Sequence, residues 1–280
     1  MATLGLEPVL TDDEFGLFRS LIYEEAGIAL RPERRAFLAA QVHGRLHARG
    51  LRSPYQYFRL LHDEGEGNGE LLHLLDLLTI HETSFFRNPP QFDLLRARVL
   101  PEILERKAGG GTSLRIWSAA CSTGQEPYSL AMEVLDQNPA ARGVAPRIYA
   151  SDISLNVLEF ARRGAYPAAK VQGVPPHHLA RHFDRVEGGF RVKEHLKRLV
   201  VFDYHNLKHE NGLTDLDIIF CRNLMIYFDE AEQRRLVDKF ARALRPDGYL
   251  FLGHAESLQG LSRAFRFLCV NNGVAYQRVA

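Results

Sequence analysis

Residues 115–130 read RIWSAACSTGQEPYSL. The stretch has the form of a short strand, a tight loop of small residues, and a helix opening at Pro127. Leu114, Ile116 and Trp117 can fill a buried strand, and the loop at 118–124 (SAACSTG) has so little bulk that a ligand can approach its backbone closely. Pro127 suits a first helical turn, where its missing N–H costs nothing. Strand–loop–helix units of this kind hold nucleotide-like ligands at the carboxyl edge of a parallel sheet. Here Glu126 sits where free N–H groups and the positive end of the helix dipole gather, and the loop lacks the G-x-G-x-x-G spacing. An acid there disfavours phosphate. The expected ligand is therefore adenosine-like and independent of phosphate, and S-adenosylmethionine meets those terms.

Downstream of Gly111 the pattern alternates. Strands are predicted at 114–117, 147–150, 217–221 and 249–253, with helices at 128–136, 155–162 and 230–243. Such alternation implies a parallel sheet with right-handed crossovers and ligands at the strand ends. The chain closes differently: 265–270, then Asn271-Asn272-Gly273, then 274–279 reads as an antiparallel hairpin. Between 164 and 205 the alternation is interrupted. There 190–192 and 199–202, with Glu187-Gly188-Gly189 as a turn, predict a small antiparallel excursion. Before about residue 80 the reading is helical throughout. Thr11 or Asp12 caps a helix with Phe15, Phe18, Leu21 and Ile22 at helical spacing, and Gly27 stops it. A second helix is predicted at 32–50 and two more at 55–62 and 70–79. Glycine-rich breaks fall at 65–69 and 109–111.

Composition narrows the class. The 280 residues are 25% charged and 46% apolar, which is ordinary for a soluble globular protein, and a formal net charge of +1 gives no global field for nucleic acid. Cys121, Cys221 and Cys269 are odd in number and far apart, so they form neither a disulfide framework nor a zinc pattern. None of the 12 histidines shows ligand spacing, and no metal is expected. The N-terminal residues lack a basic segment followed by an apolar core, so no signal peptide is expected. The most apolar run, 71–80, contains His73 and Asp76 and is too short to span a bilayer. The expectation is a soluble intracellular protein.

Several residues carry chemistry. Asp152 ends the second predicted strand, where a carboxylate can accept both ribose hydroxyl protons; its other reading is an N-cap for the following helix. The turn at 244–250 (LRPDGYL) supports the fold and not the site. Arg222 and Asn223 follow an apolar strand, facing the expected crevice with a permanent charge and paired donors and acceptors. Tyr227 either brings its hydroxyl to the reacting centre or packs beside Met225 and Phe228.

A mostly parallel sheet with a final antiparallel hairpin resembles the class I methyltransferase fold. More specifically, HETSFFR at 81–87, WSAACSTGQEPYSLAM at 117–132, ASDIS at 150–154, FCRNLMIYF at 220–228 and LRPDGYLFLGHAES at 244–257 resemble the CheR family, the chemotaxis-receptor glutamate methyltransferases. The motifs stand in family order and extend over nearly the whole chain. The resemblance implies an α/β, Rossmann-like domain dependent on S-adenosylmethionine over 111–280, with a small antiparallel β-subdomain inserted at about 164–205. It implies an all-helical receptor-recognition domain over 1–80 and a linker with cofactor contacts over 81–110. It also implies the activity: methylation of receptor glutamates to γ-glutamyl methyl esters, releasing S-adenosylhomocysteine. The implied cofactor residues are His81, Thr83, Arg87, Glu126, Asp152, Asn206, Leu207, Arg222 and Asn223. Asp152 takes the ribose, and Asn206 and Leu207 flank the adenine. Arg87 and Tyr227 correspond to the residues that approach the transferred methyl.

Seven arginines between 31 and 59 face a single acid, Glu33, a local charge of +6. Arg34, Arg35, Arg45 and Arg49 fall on one helix, interleaved with Phe37, Leu38, Val42 and Leu46 as its core face. Alone, such a run reads as a solvated face; the resemblance makes Arg34, Arg45 and Arg49 receptor-binding residues, although Gln41, Gly44 and His47 occupy positions where relatives can carry Arg. The expected partners are cytoplasmic helices of methyl-accepting chemotaxis receptors, reached at the inner face of the membrane, with no nucleic acid and no membrane insertion. The short 186–190 turn implies independence from a receptor C-terminal pentapeptide. Two other readings account for the cofactor motifs: a class I methyltransferase acting on another protein, a small molecule or nucleic acid, and a non-catalytic module that binds S-adenosylmethionine or its product. The first leaves HETSFFR and FCRN unexplained, and intact Arg87 and Tyr227 argue against the second.

Overall fold

The computed structural model describes residues 9–63, 65, 67–79, 81–108, 110 and 113–279. The N-terminal eight residues, Ile80 and parts of both glycine breaks lie outside them. Two compact units divide the chain: Met1–Ile80 with Tyr227–Asp229, and His81–Ile226 with Glu230–Ala280.

The first unit is helical. Helix α1 (Asp12–Ala26) opens on a reciprocal cap: the Thr11 hydroxyl accepts from the Glu14 N–H at 3.2 Å, and Glu14 accepts from the Thr11 N–H at 2.9 Å. It closes at Gly27, whose φ of 72° is the left-handed conformation a glycine adopts without strain. A 3₁₀ turn (Pro32–Arg34) leads into α2 (Arg35–Arg49), followed by α3 (Pro54–Leu61) and α4 (Gly67–Leu78). Phe18, Ile22, Leu38, Val42, Tyr57 and Leu74 are buried, and each such side chain contributes roughly 1.5–3 kcal/mol. Phe37 departs from the predicted core face. It is only half-buried, and the Arg34 guanidinium covers its ring at 4.3 Å. Residues 227–229 return to this unit through a bridge between Phe228 and Ile28, and the Tyr227 carbonyl accepts from the Ala29 N–H at 2.8 Å.

The second unit begins with α5 (Pro89–Leu94), a π-helical segment (Leu95–Val99) and α6 (Leu100–Lys107). There follow β1 (Ser113–Ala119), α7 (Gln125–Asp136), β2 (Ala145–Asp152) and α8 (Leu155–Arg163). Next come β3 (Ala165–Pro167), α9 (Pro176–His182), β4 (Phe183–Val186), β5 (Gly189–Val192), α10 (Glu194–Lys197) and β6 (Val200–Tyr204). The chain finishes with β7 (Leu216–Cys221), α11 (Glu230–Ala243), β8 (Leu244–Leu252), β9 (Phe265–Val270) and β10 (Gly273–Arg278). Seven strands form one sheet in the order β6-β2-β1-β7-β8-β10-β9, parallel up to β8 and antiparallel through the last two. A separate three-stranded antiparallel sheet has the order β3-β5-β4. This is the expected class I methyltransferase architecture with its β-subdomain.

Register decides where a ligand can sit. Trp117 lies opposite Tyr149 on one side and Ile219 on the other, so β1, β2 and β7 end level with one another. The strand order reverses direction at β1, which leaves a crevice outside those carboxyl ends. All six residues of β7 are buried, as a strand covered on both faces requires.

Two expectations are corrected. The segment at 199–202 does not join the antiparallel excursion: as β6 it pairs parallel to β2 in the main sheet, Ile148 opposite Val200. Helix α7 opens at Gln125 with Gly124 as its N-cap, which moves Pro127 from the first helical position to the third. Pro127 is still cost-free there, because the first four N–H groups of a helix have no partner within it.

Candidate active site at the strand ends

The loop after β1 is strained into shape. Ala120, Ser122 and Gly124 all have positive φ, at 61°, 50° and 89°. At Gly124 a Cβ would stand 2.7 Å from the Ala161 Cβ, so only glycine fits. Short bonds hold the loop: the Cys121 N–H donates to the Ser151 carbonyl at 2.9 Å, and the Tyr166 hydroxyl donates to the Thr123 carbonyl at 2.7 Å. Burial and the nearby Asp152 push the Cys121 thiol well up, so it stays neutral.

Asp152 closes β2 directly opposite this loop. Its Oδ2 accepts from the Ser122 N–H at 2.8 Å and its Oδ1 from the Ser154 N–H at 3.0 Å. The N-cap of α8 is Ser154, whose hydroxyl accepts from the Val157 N–H. The Asp152 carbonyl accepts from the His205 N–H at 3.0 Å, which places Asn206 and Leu207 beside it. On the loop's other side the Ser122 hydroxyl donates to the His81 carbonyl at 3.2 Å. Thr83, two residues on, is half-buried.

Glu126 and Arg222 form a buried ion pair, with Arg222 Nε 2.6 Å from Glu126 Oε2. The second Glu126 oxygen accepts from the Ser118 hydroxyl at 2.7 Å. Phe92 and Phe220 flank the guanidinium at 5.6 Å each. Arg222 Nη1 reaches the Gln91 side-chain oxygen at 3.3 Å and also donates to the Arg87 carbonyl. The Arg87 guanidinium donates to the Glu82 carbonyl at 2.8 Å. A cleft of about 340 Å³ opens here, lined by Arg87, Asn88, Gln91, Arg222, Asn223, Gly253 and His254. That volume lies within the range of small-molecule sites.

Thus three of the sequence-predicted residues (Arg87, Arg222 and Asn223) line one cleft. His81, Glu126, Asp152, Asn206 and Leu207 are joined to it or to the loop by backbone connection and hydrogen bonds. Tyr227 ends a 3₁₀ turn (Met225–Tyr227) six residues beyond β7. Sequence reasoning missed Glu256. Its carboxylate accepts from the N–H groups of Asn223 (2.9 Å), Met225 (2.7 Å) and Gly253 (2.6 Å), clamping the turn after β7 to the end of β8. Gly253 must lack a Cβ, which would meet the Asn223 nitrogen at 2.9 Å. Its signal is GHAES at 253–257, the end of the LRPDGYLFLGHAES motif, whose leading turn alone marks the fold. Lys239 was missed as well. From α11 its buried ammonium donates to His205 Nε2 (3.0 Å) and to the carbonyls of Leu207 (3.2 Å) and His209, fixing the 205–209 loop.

In the helical unit the three arginines assigned to receptor binding separate. Arg45 meets Glu70 through two bonds of 2.7 and 2.9 Å, and Tyr57 donates to the same carboxylate at 2.8 Å. Arg49 stands 3.7 Å from it. Burial resists ionisation of Glu70, but the hydrogen bonds from Arg45 and Tyr57 outweigh it and hold the carboxyl below its ordinary range. Arg45 is thereby committed inside its own unit. Arg34 rests on Phe37, and Arg31, Arg52 and Arg59 are exposed.

Comparison with known proteins agrees over most of the chain. The model for the CheR methyltransferase all-alpha domain matches residues 13–79, and that for the CheR methyltransferase SAM binding domain matches residues 81–274. The chain is 38% identical over 265 residues to the chemotaxis protein methyltransferase of Escherichia coli K12, covering 91% of this chain and 88% of that one. It is 35% identical over 258 residues to the chemotaxis protein methyltransferase of Borreliella burgdorferi, covering 90% of each. It is 34% identical over 276 residues to chemotaxis protein methyltransferase 2 of Vibrio cholerae, covering 97% and 95%. With an S-adenosylmethionine-binding domain on a class I fold, the chain belongs to the CheR family of chemotaxis methyltransferases.

Proposed function

We propose that the protein methylates glutamate side chains of chemotaxis receptors, forming γ-glutamyl methyl esters. The observation that carries this reading is the similarity, over nine-tenths of the chain, to proteins named chemotaxis protein methyltransferases. The site's donor set suits an adenosine cofactor without phosphate. The loop after β1 is backed by an acid, Asp152, and the helix beyond it opens with Glu126 already paired to Arg222. When bound, S-adenosylmethionine supplies an activated methyl on a sulfonium that leaves as a neutral thioether.

The chain's own residues supply position. Asp152 accepts from the ribose hydroxyls, Asn206 and Leu207 border the adenine, and His81, Thr83, Arg222 and Asn223 complete the pocket. Glu126 acts through Arg222, fixing the guanidinium that holds the Arg87 carbonyl. Arg87 orients the incoming carboxylate and Tyr227 donates a hydrogen bond to it. A glutamate with pKa of about 4.3 is already ionised at pH 7, so transfer requires no general base. What remains is alignment and exclusion of water, worth roughly 7–11 kcal/mol when fully achieved.

Receptor docking falls to the arginine-rich surface of the helical unit, and the enzyme works at the inner face of the membrane. No described helix is long and apolar enough to cross a membrane. The β4–β5 hairpin turns at Glu187 and Gly188 alone, with Val186 opposite Gly189, and this short connection supports operation without a pentapeptide tether. The test is transfer of radiolabelled methyl to receptor cytoplasmic domains, followed by mild base. Base-labile label on glutamate is expected. Label that survives base, or none on any receptor domain, overturns the substrate assignment.

A further inference from the structure

A second depression, of about 270 Å³, lies where α7 ends and α9 begins, and Asp136, His177, His178, Glu133 and Phe86 contribute to its wall. Asp136 Oδ2 is 3.9 Å from His177 Nε2 and 3.7 Å from His178 Nε2, and one donor atom from each of the three residues lies within 4.8 Å of the others. Neither separation is a hydrogen bond. Two ligands on a tetrahedral cation with bonds of 2.0–2.2 Å stand roughly 3.3–3.6 Å apart, so each Asp136–imidazole pair needs to close by only a few tenths of an ångström.

Two further observations fit a cation. His178 is only 3% exposed, and its Nδ1 is a buried polar atom with no hydrogen-bond partner. The other Asp136 oxygen accepts from Arg181 at 2.8 Å, which leaves Oδ2 facing the imidazoles; ligating carboxylates commonly have such support. Glu133, by contrast, is occupied by Arg96 at 3.0 Å. His177 sits on the rim with its side chain two-thirds exposed. Forty residues of chain separate Asp136 from His177, which is why no ligand spacing is visible in the sequence.

We propose that Asp136, His177 and His178 form a binding site for a divalent cation of the zinc class, separate from the methyl-transfer cleft. Two imidazoles and one carboxylate suit zinc and neighbouring first-row ions better than magnesium or calcium, which prefer oxygen alone. His178 also stacks on Phe86 (centroids 5.3 Å apart, planes at 16°), and the Phe86 N–H donates to the Ser129 hydroxyl at 3.0 Å. A bound ion therefore stiffens the residue that precedes Arg87.

The test uses the full chain, free of any histidine tag and stripped with chelator, titrated calorimetrically with zinc chloride and followed in the visible with cobalt chloride. One equivalent of saturable zinc binding is expected, with the cobalt absorption of a tetrahedral nitrogen–oxygen site. His177→Gln, at the surface, should leave the apo protein's melting temperature unchanged while weakening zinc affinity at least about tenfold and abolishing the cobalt band. Asp136→Asn should do the same to binding. His47→Gln, an exposed histidine of the helical unit, should bind as the wild type does. Absence of saturable zinc uptake by the wild type, or equal affinity of wild type and His177→Gln, overturns the site and leaves the depression to water.

Discussion

Asp152 has its two carboxylate oxygens on different backbone N–H groups, Ser122 on the cofactor loop and Ser154 at the start of α8. It shapes the loop and presents charge to the ligand with the same atoms. Asp152→Ala should therefore lower affinity for S-adenosylhomocysteine about 10- to 150-fold, the equivalent of charge-assisted bonds of roughly 1.5–3 kcal/mol. Calorimetry showing unaltered affinity would return Asp152 to a purely structural role. Arg87 and Tyr227 should separate kinetically. Arg87 lines the cleft, so Arg87→Ala is expected to lower both cofactor affinity and turnover. Tyr227→Phe keeps the ring and removes only the hydroxyl, so turnover should drop about tenfold at saturating cofactor and receptor while cofactor affinity holds. Equal kcat for Tyr227→Phe and wild type assigns Tyr227 to packing.

At the scale of the element, helix α2 carries two kinds of arginine. Arg45 neutralises Glu70, which is 6% exposed, whereas Arg34 lies against Phe37 toward the surface. Arg45→Ala should cost roughly 1.5–3 kcal/mol of stability, because Glu70 then depends on Tyr57 and Arg49 alone. Replacing Arg34 and Arg49 together should instead raise the apparent KM for receptor about 2- to 30-fold and flatten its salt dependence, from exposed pairs of about 0.2–1 kcal/mol each. Affinity for S-adenosylmethionine should not change. A receptor titration at low salt with unaltered KM moves the docking surface elsewhere. Elements of this length were readable because each announces itself locally. Thr11 or Asp12 marks a helix start, Gly27 a stop, and the apolar run at 217–221 a buried strand. What sequence could not supply is partner choice. A strand at 199–202 looks the same whether it joins the small sheet or the large one, and Arg45 looks like Arg34 until Glu70 arrives from another helix. The site followed the same rule. Residues at strand ends were placed from strand prediction, but Glu256, Gln91 and Lys239 act through contacts made across the fold.

At the scale of the methyltransferase unit, burial has collected neutral histidines. His182 is fully buried, with Nδ1 2.9 Å from His195 Nε2, and burial, reinforced by His195, pulls its pKa down to about 4. Burial and the Lys239 ammonium pull His205 down to about 4 as well, and only a neutral His205 can accept from Lys239 at Nε2. Both lie below the ordinary 6.5, so the unfolded chain takes up their protons first as pH falls. The stability they protect is complete above pH 6.5, shrinks between 6.5 and 4, and is exhausted once the folded state also protonates. Within that window each contributes a slope of roughly 1.4 kcal/mol per pH unit. Glu133 works against them. Burial, only partly offset by Arg96, raises its pKa, so the folded state gains from holding that proton as pH falls. Two strongly lowered histidines outweigh one carboxyl, and the net direction is loss on acidification. Thermal unfolding followed from pH 7.5 to 5 should show the melting temperature falling steadily below 6.5. His205→Gln should make that slope shallower while lowering stability at pH 7.5, because the amide replaces the imidazole as acceptor for Lys239 imperfectly. A melting temperature independent of pH across this range, or a slope unchanged in His205→Gln, would mean that these rings accept protons in the folded state as readily as in the unfolded chain.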